Sequence, residues 1–262
     1  MSPTPENDGN GTASPCPTSS QGLKVSVIVP CLNEKGSVLP ILERVKAAFH
    51  GFASAEVIVV DDGSTDGTHE QLLAYPELYT HLLRHENARG KGAAIATALN
   101  LISGDTVVIQ DADTEYWPED LPLVLGPILR KDADVVYGRR PSGTGSVRRR
   151  LTFGAGVLLF SFLARHLTSL PIHDIATCYK AFRTEVLHRL SFREKGFAWD
   201  AEVTARLAAF DGLRLLEIPI RYAPRTRIQG KKLRFWHGFR YGWVLLTVAI
   251  RSRLARSSRG QA

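Results

Sequence analysis

Two closely spaced carboxylates follow an apolar run near the middle of the chain. The run at 106–109 reads TVVI, and Asp111 and Asp113 come just after it, separated by one alanine. Side chains two positions apart on an extended chain lie on the same side, so both carboxylates face one way. Hard oxygen ligands of this kind suit Mg²⁺ or Mn²⁺ that bridges diphosphate oxygens. The alternative is a set of acids that only precede a helix, because Pro118 is typical of a helix first turn.

Polar residues follow three other apolar runs as well. The first run leads into Asn33 and Glu34, the second ends in Asp61 and Asp62, and a later one ends in Arg140. The DDGS stretch is either a plain turn, since Asp, Gly and Ser favour turns, or a group of carboxylates that accepts hydrogen bonds from a base or a ribose. Its position after a buried strand favours the second interpretation.

The apolar runs alternate with helix-like segments, which indicates an α/β fold with a mostly parallel sheet covered by helices on both faces. In such open sheets, ligands bind beyond the carboxyl ends of the strands, where all the polar groups above lie. The sequence therefore predicts one cleft. Strands are predicted at 24–30, 56–60, 81–84, 106–109, 133–137 and 214–222, and helices at 35–50, 66–74, 90–102 and 118–130.

A lysine between two glycines opens the third predicted helix. In ARGKGAA, Lys91 stands where a helix N-terminus could bind phosphate. The alternative, which has equal weight, is a glycine-rich helix start whose lysine is exposed to solvent. Neither GxGxxG after the first strand nor GxxxxGK[ST] occurs in the chain, which disfavours a dinucleotide enzyme and a P-loop NTPase.

Composition indicates which partners and which compartment suit the protein. The chain has 262 residues and a formal net charge of +7, which favours anionic partners such as nucleotides, phospholipids or nucleic acid without choosing among them. Three cysteines without metal-ligand spacing indicate a reducing compartment and no disulfide framework. Residues 1–22 are rich in Ser, Thr, Pro and Gly and lack the pattern of a signal peptide, which predicts a disordered tail. We expect a cytoplasmic location.

The last part of the chain, 235–262, combines aromatic residues with arginines. This pattern predicts an amphipathic helix that lies on an anionic membrane surface, and its uncharged run is shorter than the ~20 residues of a membrane span. The alternative is a helix that packs on the domain. The apolar stretch 151–163 is also too short to span, and either docks at the interface or belongs to the core.

The ordered set of motifs VSVIVPCLNE, VIVVDDGSTDGT, QDADTEYWPEDLPLVL, VVYGRR and HDIATCYKAFR resembles the family 2 glycosyltransferases of the GT-A fold. Within that family it is most similar to the polyprenyl-phosphate hexose synthases, such as the dolichyl-phosphate mannose and glucose synthases. The resemblance covers about 25–235. It implies a GT-A domain at 23–234, between the tail and the C-terminal helix.

The resemblance also implies roles for individual residues. Pro30, Asn33 and Glu34 would line the nucleotide pocket, with Asp61 and Asp62 on base and ribose. Lys91 is a further candidate for binding the nucleotide sugar, because of its place at a helix N-terminus and not because of the resemblance. Asp111 and Asp113 would hold the metal on the donor diphosphate. Glu115 stands where many of these synthases carry glutamine. The acceptor phosphate would contact Arg140, Lys180, Arg225, Lys231 and Lys232. Of these, Lys180 follows Asp174 as a basic residue does in the family.

The activity implied is an inverting, metal-dependent transfer of a hexose from GDP-mannose or UDP-glucose to a polyprenyl phosphate, on the cytoplasmic face of a membrane. A second enzyme hypothesis is transfer to a sugar hydroxyl, which requires a general base, with Asp200 and Glu202 as candidates. A third, from another class, is a basic nucleic-acid-binding module. We expect no nucleic acid, because the chain lacks an RRM, KH or helix-turn-helix pattern.

Overall fold

A seven-stranded mixed sheet forms the centre of the protein. The computed structural model describes residues 24–50, 54–141, 155–225 and 236–259, so the 1–22 tail, Lys231 and Lys232 lie outside the described residues. The strands are β1 Lys24–Cys31, β2 Ser54–Asp61, β3 His81–Arg84, β4 Thr106–Ile109, β5 Val135–Arg139, β6 Lys180–Arg183 and β7 Leu215–Pro219, in the order β3-β2-β1-β4-β6-β5-β7.

Helices cover the sheet. They are α1 Val38–Ala48, α2 Thr68–Leu73, α3 Lys91–Ala98, α4 Leu121–Leu129, α5 Ala155–Thr168, α6 Thr184–Arg189, α7 Trp199–Leu207 and α8 Trp236–Arg259. Short 3₁₀ turns occupy Pro76–Leu78 and Pro118–Asp120. The predicted α/β, mostly parallel GT-A architecture is confirmed. The four early helices fall inside the predicted ranges, and Pro118 does open a helical turn, although the α-helix itself begins at Leu121.

The β-branched composition of the central strands explains where they lie. In β1, Val25, Val27, Ile28 and Val29 are fully buried, as expected for a parallel strand covered on both faces. The register pairs Cys31 with Asp61, so the loops after β1 and β2 leave the sheet at the same level. β4 pairs with β1 in parallel, and its following loop emerges at that edge too.

One strand departs from the parallel arrangement. β6 lies antiparallel between β4 and β5, at a place where we predicted no strand. Its insertion brings the segment before it, which contains Asp174, next to the end of β5 and Arg140.

The C-terminal helix packs on the domain along one face and exposes the other. Its buried side carries Val244, Leu245 and Ala249, and contacts α5 and α7. The packing alternative is thus observed for that face. Among the helices of the described residues, none combines the length and the apolar composition that crossing a bilayer requires.

Candidate active site

A cleft lies at the carboxyl edge of β1, β2 and β4. The predicted site residues that line it are Pro30, Glu34, Asp62, Lys91, Asp111, Asp113 and Arg225. Glu115 and Phe197 also line it. The structure therefore brings together residues from six separate parts of the sequence. Asn33 lies on the exposed rim, with its side-chain oxygen accepting the Thr65 N–H, which ties the β1 loop to the β2 loop.

Lys91 and Asp111 form an ion pair at the floor of the cleft. The Lys91 ammonium lies 2.8 Å from Asp111 Oδ1, and both side chains are largely buried. Burial disfavours the charged ammonium, but the anions around it, Asp111 foremost, outweigh burial and raise the pKa of Lys91 well above its usual value. Burial likewise opposes ionisation of Asp111, and the lysine charge nevertheless lowers its pKa. The two groups are charged together.

Asp113 is in the opposite electrostatic situation. Burial, followed by the nearby charges of Asp111 and Glu115, raises the pKa of Asp113 to about 7. Its Oδ1 accepts the Glu115 N–H at 2.9 Å. The acidic loop, residues 111–115, thus has more negative charge than its cationic neighbours neutralise. This excess favours the binding of one further cation.

The donor set fits a divalent metal in chemistry, because carboxylate oxygens are the ligands that Mg²⁺ and Mn²⁺ prefer. Within the described residues, no three His, Cys, Asp or Glu side chains come together as a complete metal-binding group. Asp111 and Asp113 would therefore supply only part of a coordination sphere, and oxygens from a ligand would supply the rest.

Asp62 holds the segment that precedes Lys91. Its carboxylate accepts the N–H groups of Arg89 at 2.9 Å and Gly90 at 2.7 Å, and its Oδ1 lies 2.6 Å from His85 Nδ1. The other His85 ring nitrogen lies 2.9 Å from the Thr97 hydroxyl on α3. Asp62 therefore lines the cleft and also positions the start of α3.

Asp61 lies deeper than its neighbour. It has no exposed surface, and its Oδ1 accepts the Ser64 N–H at 2.9 Å. Its Oδ2 is 3.1 Å from His69 Nδ1, but neither atom has a well-aligned hydrogen bond. Asp61 therefore shapes the loop after β2 and is not among the residues that line the cleft.

Arg225 joins the C-terminal segment to Glu34, which follows β1. Its two terminal nitrogens each donate to Glu34 Oε2 at 2.9 Å, and its backbone N–H donates to Glu115 Oε1 at 2.7 Å. Glu115 Oε2 accepts the Tyr222 hydroxyl hydrogen at 2.8 Å. Glu115, whose role the sequence left open, thus anchors the segment that carries Arg225.

Arg140, which follows β5, is not among the residues that line this cleft, and lies instead against Tyr222, whose hydroxyl contacts the cleft residue Glu115. Its guanidinium donates to both oxygens of Asp174, at 2.7 and 2.6 Å, and stacks over the Tyr222 ring at 5.0 Å. Burial would lower the pKa of Arg140, but Tyr116 and Asp174 outweigh that effect and raise it. Glu217 accepts the Asp174 N–H at 2.9 Å, which fixes the carboxylate in turn. The arginine is held rigidly, as recognition of an anionic group requires.

Lys180 does not lie on the rim of the cleft, which corrects the role expected for it. Its side chain is fully buried, and its ammonium donates to the carbonyls of Ile175 and Thr177 and to Asp200 Oδ1. Burial lowers the pKa of Lys180. An ammonium that is enclosed by three protein oxygens has no exposed surface with which to meet an acceptor phosphate.

The two candidate bases are also engaged within the protein. Asp200 pairs with Lys180, and Glu202 accepts hydrogen bonds from Arg206 and from the backbone N–H groups of Arg193 and Glu194. Both carboxylates are buried. Glu202 organises the loop that precedes α7 rather than facing a substrate.

The loop before α7 was not predicted from the sequence to be part of the site. The Lys195 carbonyl accepts the Ala93 N–H at 3.0 Å, and Phe197 lines the cleft. A Cβ on Gly92 would lie 2.1 Å from the Glu194 carbonyl oxygen, so only glycine permits this close approach. The glycines on both sides of Lys91 were the available signal, since such glycines mark places where two backbones meet.

A mostly parallel sheet with an acidic, lysine-containing cleft at its carboxyl edge is the arrangement expected of a glycosyltransferase of the GT-A fold. The chain belongs to glycosyl transferase family 2, whose family model matches residues 26–191. It is similar to the polyprenol monophosphomannose synthase of Mycolicibacterium smegmatis, at 32% identity over 79% of this chain and 82% of that protein. The undecaprenyl-phosphate mannosyltransferase of Micrococcus luteus is 30% identical over 80% of this chain and 87% of its own.

A solved structure shows the same fold. Glucosyl-3-phosphoglycerate synthase from Mycobacterium tuberculosis, in complex with Mn²⁺, UDP and glucosyl-3-phosphoglycerate, superposes with a TM-score of 0.66. The likeness covers 87% of this chain and 80% of that one, at 21% sequence identity, and it concerns the fold.

Proposed function

We propose that this glycosyltransferase moves a hexose from a nucleotide diphosphate sugar to a polyprenyl phosphate. The observation that carries the proposal is the convergence, on one cleft, of the Asp111–Lys91 pair, Asp113 and Arg225, with the rigid Arg140 beside them. Such an arrangement suits two anionic groups that must be brought close together. The named activities of the two mannosyl-transferring relatives support the acceptor class and favour a mannose donor.

Different residues of the cleft would bind different parts of the donor. Pro30, Glu34 and Asp62 would hold the nucleoside, and Asp111 and Asp113 would hold Mg²⁺ or Mn²⁺ on the donor diphosphate. When bound, the metal supplies positive charge that stabilises the leaving nucleoside diphosphate. Lys91 would bind the same diphosphate, because its ammonium already faces that floor of the cleft.

The acceptor side requires no general base. A phosphate monoester is anionic near neutral pH and can attack the anomeric carbon directly, with inversion of configuration. Arg140, Arg225 and, outside the described residues, Lys231 and Lys232 would bind its oxygens, since guanidinium groups bind phosphate through paired hydrogen bonds. The engagement of Asp200 and Glu202 inside the protein favours this reaction over transfer to a hydroxyl.

Two adjacent helices support a membrane location for the acceptor. Helices α5 and α8 each expose a row of large apolar side chains, called the α5 stripe and the α8 stripe. The two helices meet through the Phe160 and Tyr241 rings. The α5 stripe consists of Leu158, Leu159, Phe162 and Leu163; the α8 stripe consists of Phe239, Trp243, Leu246 and Ile250. Exposed apolar surface of this extent marks an interaction surface.

The position of α5 connects this surface with the acceptor site. The Ser161 hydroxyl, on its inner side, accepts the N–H of Ile175, the neighbour of the Asp174 that holds Arg140. A polyprenyl phosphate bound at Arg140 would therefore keep its chain near the stripes. With a net charge of +7, the protein would lie on the anionic cytoplasmic leaflet as a peripheral protein.

A donor screen tests the proposal. Purified protein is incubated with Mn²⁺ or Mg²⁺, a polyprenyl phosphate in vesicles, and GDP-mannose, UDP-glucose or related donors, and lipid-linked sugar is measured. We expect product with one donor class and at least a hundredfold loss of turnover in Asp111→Asn. Formation of no lipid-linked product with any donor would refute the acceptor assignment.

A further inference from the structure

Asp111 already has a cation beside it in this structure. The partner is the Lys91 ammonium, 2.8 Å from Oδ1, in a setting where both side chains are mostly shielded from water. Among the described residues, Lys91 is the ion-pair partner that Asp111 has within 4 Å. The carboxylate that would hold the metal is therefore neutralised before a metal arrives.

A divalent ion and the ammonium cannot both bind this carboxylate closely without strong repulsion. Two cations that share one carboxylate lie only a few Å apart, and in a poorly solvated cleft such repulsion is large. The metal therefore binds well only if the ammonium moves away and finds another anion. The donor diphosphate is the anion that would enter with the metal.

The backbone around Lys91 is fixed, whereas its side chain is long. The Gly90 N–H is held by Asp62 at 2.7 Å, and the Ala93 N–H is held by the Lys195 carbonyl at 3.0 Å. An exchange of partners therefore needs only rotation about the side-chain bonds of Lys91, which is a flexible four-carbon stem.

We propose that Lys91 is an exchangeable counter-ion: it neutralises Asp111 in the resting enzyme and transfers its ammonium to the donor diphosphate when the metal takes the carboxylate. This inference rests on the proposed function, because it needs a diphosphate as the second anion. It makes metal and donor binding mutually dependent, with each raising the affinity of the other by the same factor. The enzyme avoids holding a metal without a donor.

Binding measurements on the full chain test the exchange without any sugar transfer. Mn²⁺ binding is followed by the electron paramagnetic resonance signal of free Mn²⁺, alone and with GDP or UDP. For wild type we expect weak binding of Mn²⁺ alone and at least tenfold tighter binding with a nucleoside diphosphate. Lys91→Met should bind Mn²⁺ alone at least tenfold more tightly than wild type, and should show a smaller enhancement by the nucleotide, because only the part that comes from diphosphate oxygens on the metal remains.

Two further variants make the result specific. Lys91→Gln also removes the charge and should bind Mn²⁺ alone at least tenfold more tightly than wild type does, which covers the case in which Lys91→Met fails to fold. Lys46→Met removes an exposed lysine on α1 and should match wild type in every measurement. Weaker or unchanged binding of Mn²⁺ alone by Lys91→Met would overturn the exchange.

The outcome separates this inference from the proposed function. If wild type binds neither GDP nor UDP with Mn²⁺, the donor assignment fails and the exchange fails with it. If wild type shows the mutual enhancement but Lys91→Met shows the same enhancement in full and binds Mn²⁺ alone no more tightly, only the exchange is refuted. Failure of the lipid acceptor in the donor screen affects neither result.

Discussion

The two carboxylates of the acidic loop differ because, among the residues that the structure describes, Asp111 has a cation within 4 Å and Asp113 has none. Asp111 faces Lys91, whereas Asp113 lies between two like charges, Asp111 and Glu115. Both carboxylates follow the same strand, two residues apart, so their positions in the sequence do not explain the difference. It arises from helix α3, which places Lys91 beside Asp111. The pair is therefore divided between a charged member and a member that retains a proton to about neutral pH.

Asp113→Asn should stabilise the metal-free protein, and more so at higher pH. The pKa of Asp113 is raised from 3.8 to about 7, so the folded state keeps a proton that the unfolded state has lost. The free energy of unfolding therefore falls as pH rises from about 4 to about 7, and the asparagine, which cannot ionise, escapes that loss. We expect a gain of order 1–3 kcal/mol at pH 8, since one pKa unit is about 1.4 kcal/mol.

Urea unfolding in the presence of a chelator, at pH 5 and at pH 8, measures this effect. The advantage of Asp113→Asn should be smaller at pH 5. An equal advantage at both pH values would mean that ionisation of Asp113 is not its cause.

Lys180→Met should destabilise the protein strongly. The substitution leaves the Asp200 carboxylate buried without its cation and leaves the carbonyls of Ile175 and Thr177 without a donor. Breaking a buried ion pair in this way costs about 3–5 kcal/mol. Chemical denaturation measures the loss, with Lys46→Met, at an exposed position, expected within ~0.5 kcal/mol of wild type. A change below ~1 kcal/mol would contradict the structural role assigned to Lys180.

At the scale of elements, the start of α3 depends on the loop before α7. Gly92→Ala would place a Cβ 2.1 Å from the Glu194 carbonyl oxygen and 2.9 Å from Trp199 Cβ, so the loop must move away. We expect loss of about 1–3 kcal/mol of stability. We also expect at least tenfold weaker binding of nucleoside diphosphate, because Lys91 and Phe197 move with these segments.

Gly156→Ala is the matched control for this change. Gly156 lies in helix α5, and a Cβ there meets nothing within 4 Å. Alanine should therefore stabilise that helix by about 0.5–1 kcal/mol without affecting nucleotide binding. Thermal unfolding and calorimetric titration with GDP or UDP compare the two variants; equal behaviour of both would refute the close-approach argument.

The strands β1, β2, β4 and β5 were predictable because each is a β-branched run, buried on both faces, that ends in polar residues. β6 was not, since KAFR is four residues long and begins with a charge. That charge is tolerable only because Asp200, twenty positions later, reaches it through the fold. The pairing of Lys91 with Asp111 is likewise a product of the sheet, and the sequence left the role of Lys91 open.

At the scale of the whole molecule, the same helices that complete the core also create its exposed apolar surface. In α8 the buried residues Val244, Leu245 and Ala249 alternate with the α8 stripe, whose members are spaced four, three and four residues apart on one face. Arg251 is exposed near the end of that face. Packing on the domain therefore uses one side of α8, and the proposed contact with a membrane would use the opposite side.

Trp243→Glu in α8 and Phe162→Glu in α5 should each weaken binding to anionic vesicles. Both side chains are about half exposed or more, so the changes leave the core intact, whereas a carboxylate at a membrane interface removes the burial energy of the ring and repels the anionic lipid. Burial of one aromatic side chain contributes about 1.5–3 kcal/mol, which predicts a loss of roughly ten- to hundredfold in partition coefficient. Sedimentation with phosphatidylglycerol vesicles measures it. Leu73→Glu, which changes an equally exposed leucine on α2, should bind as wild type does; if it loses as much as the stripe variants, the binding reports net charge and not these two helices.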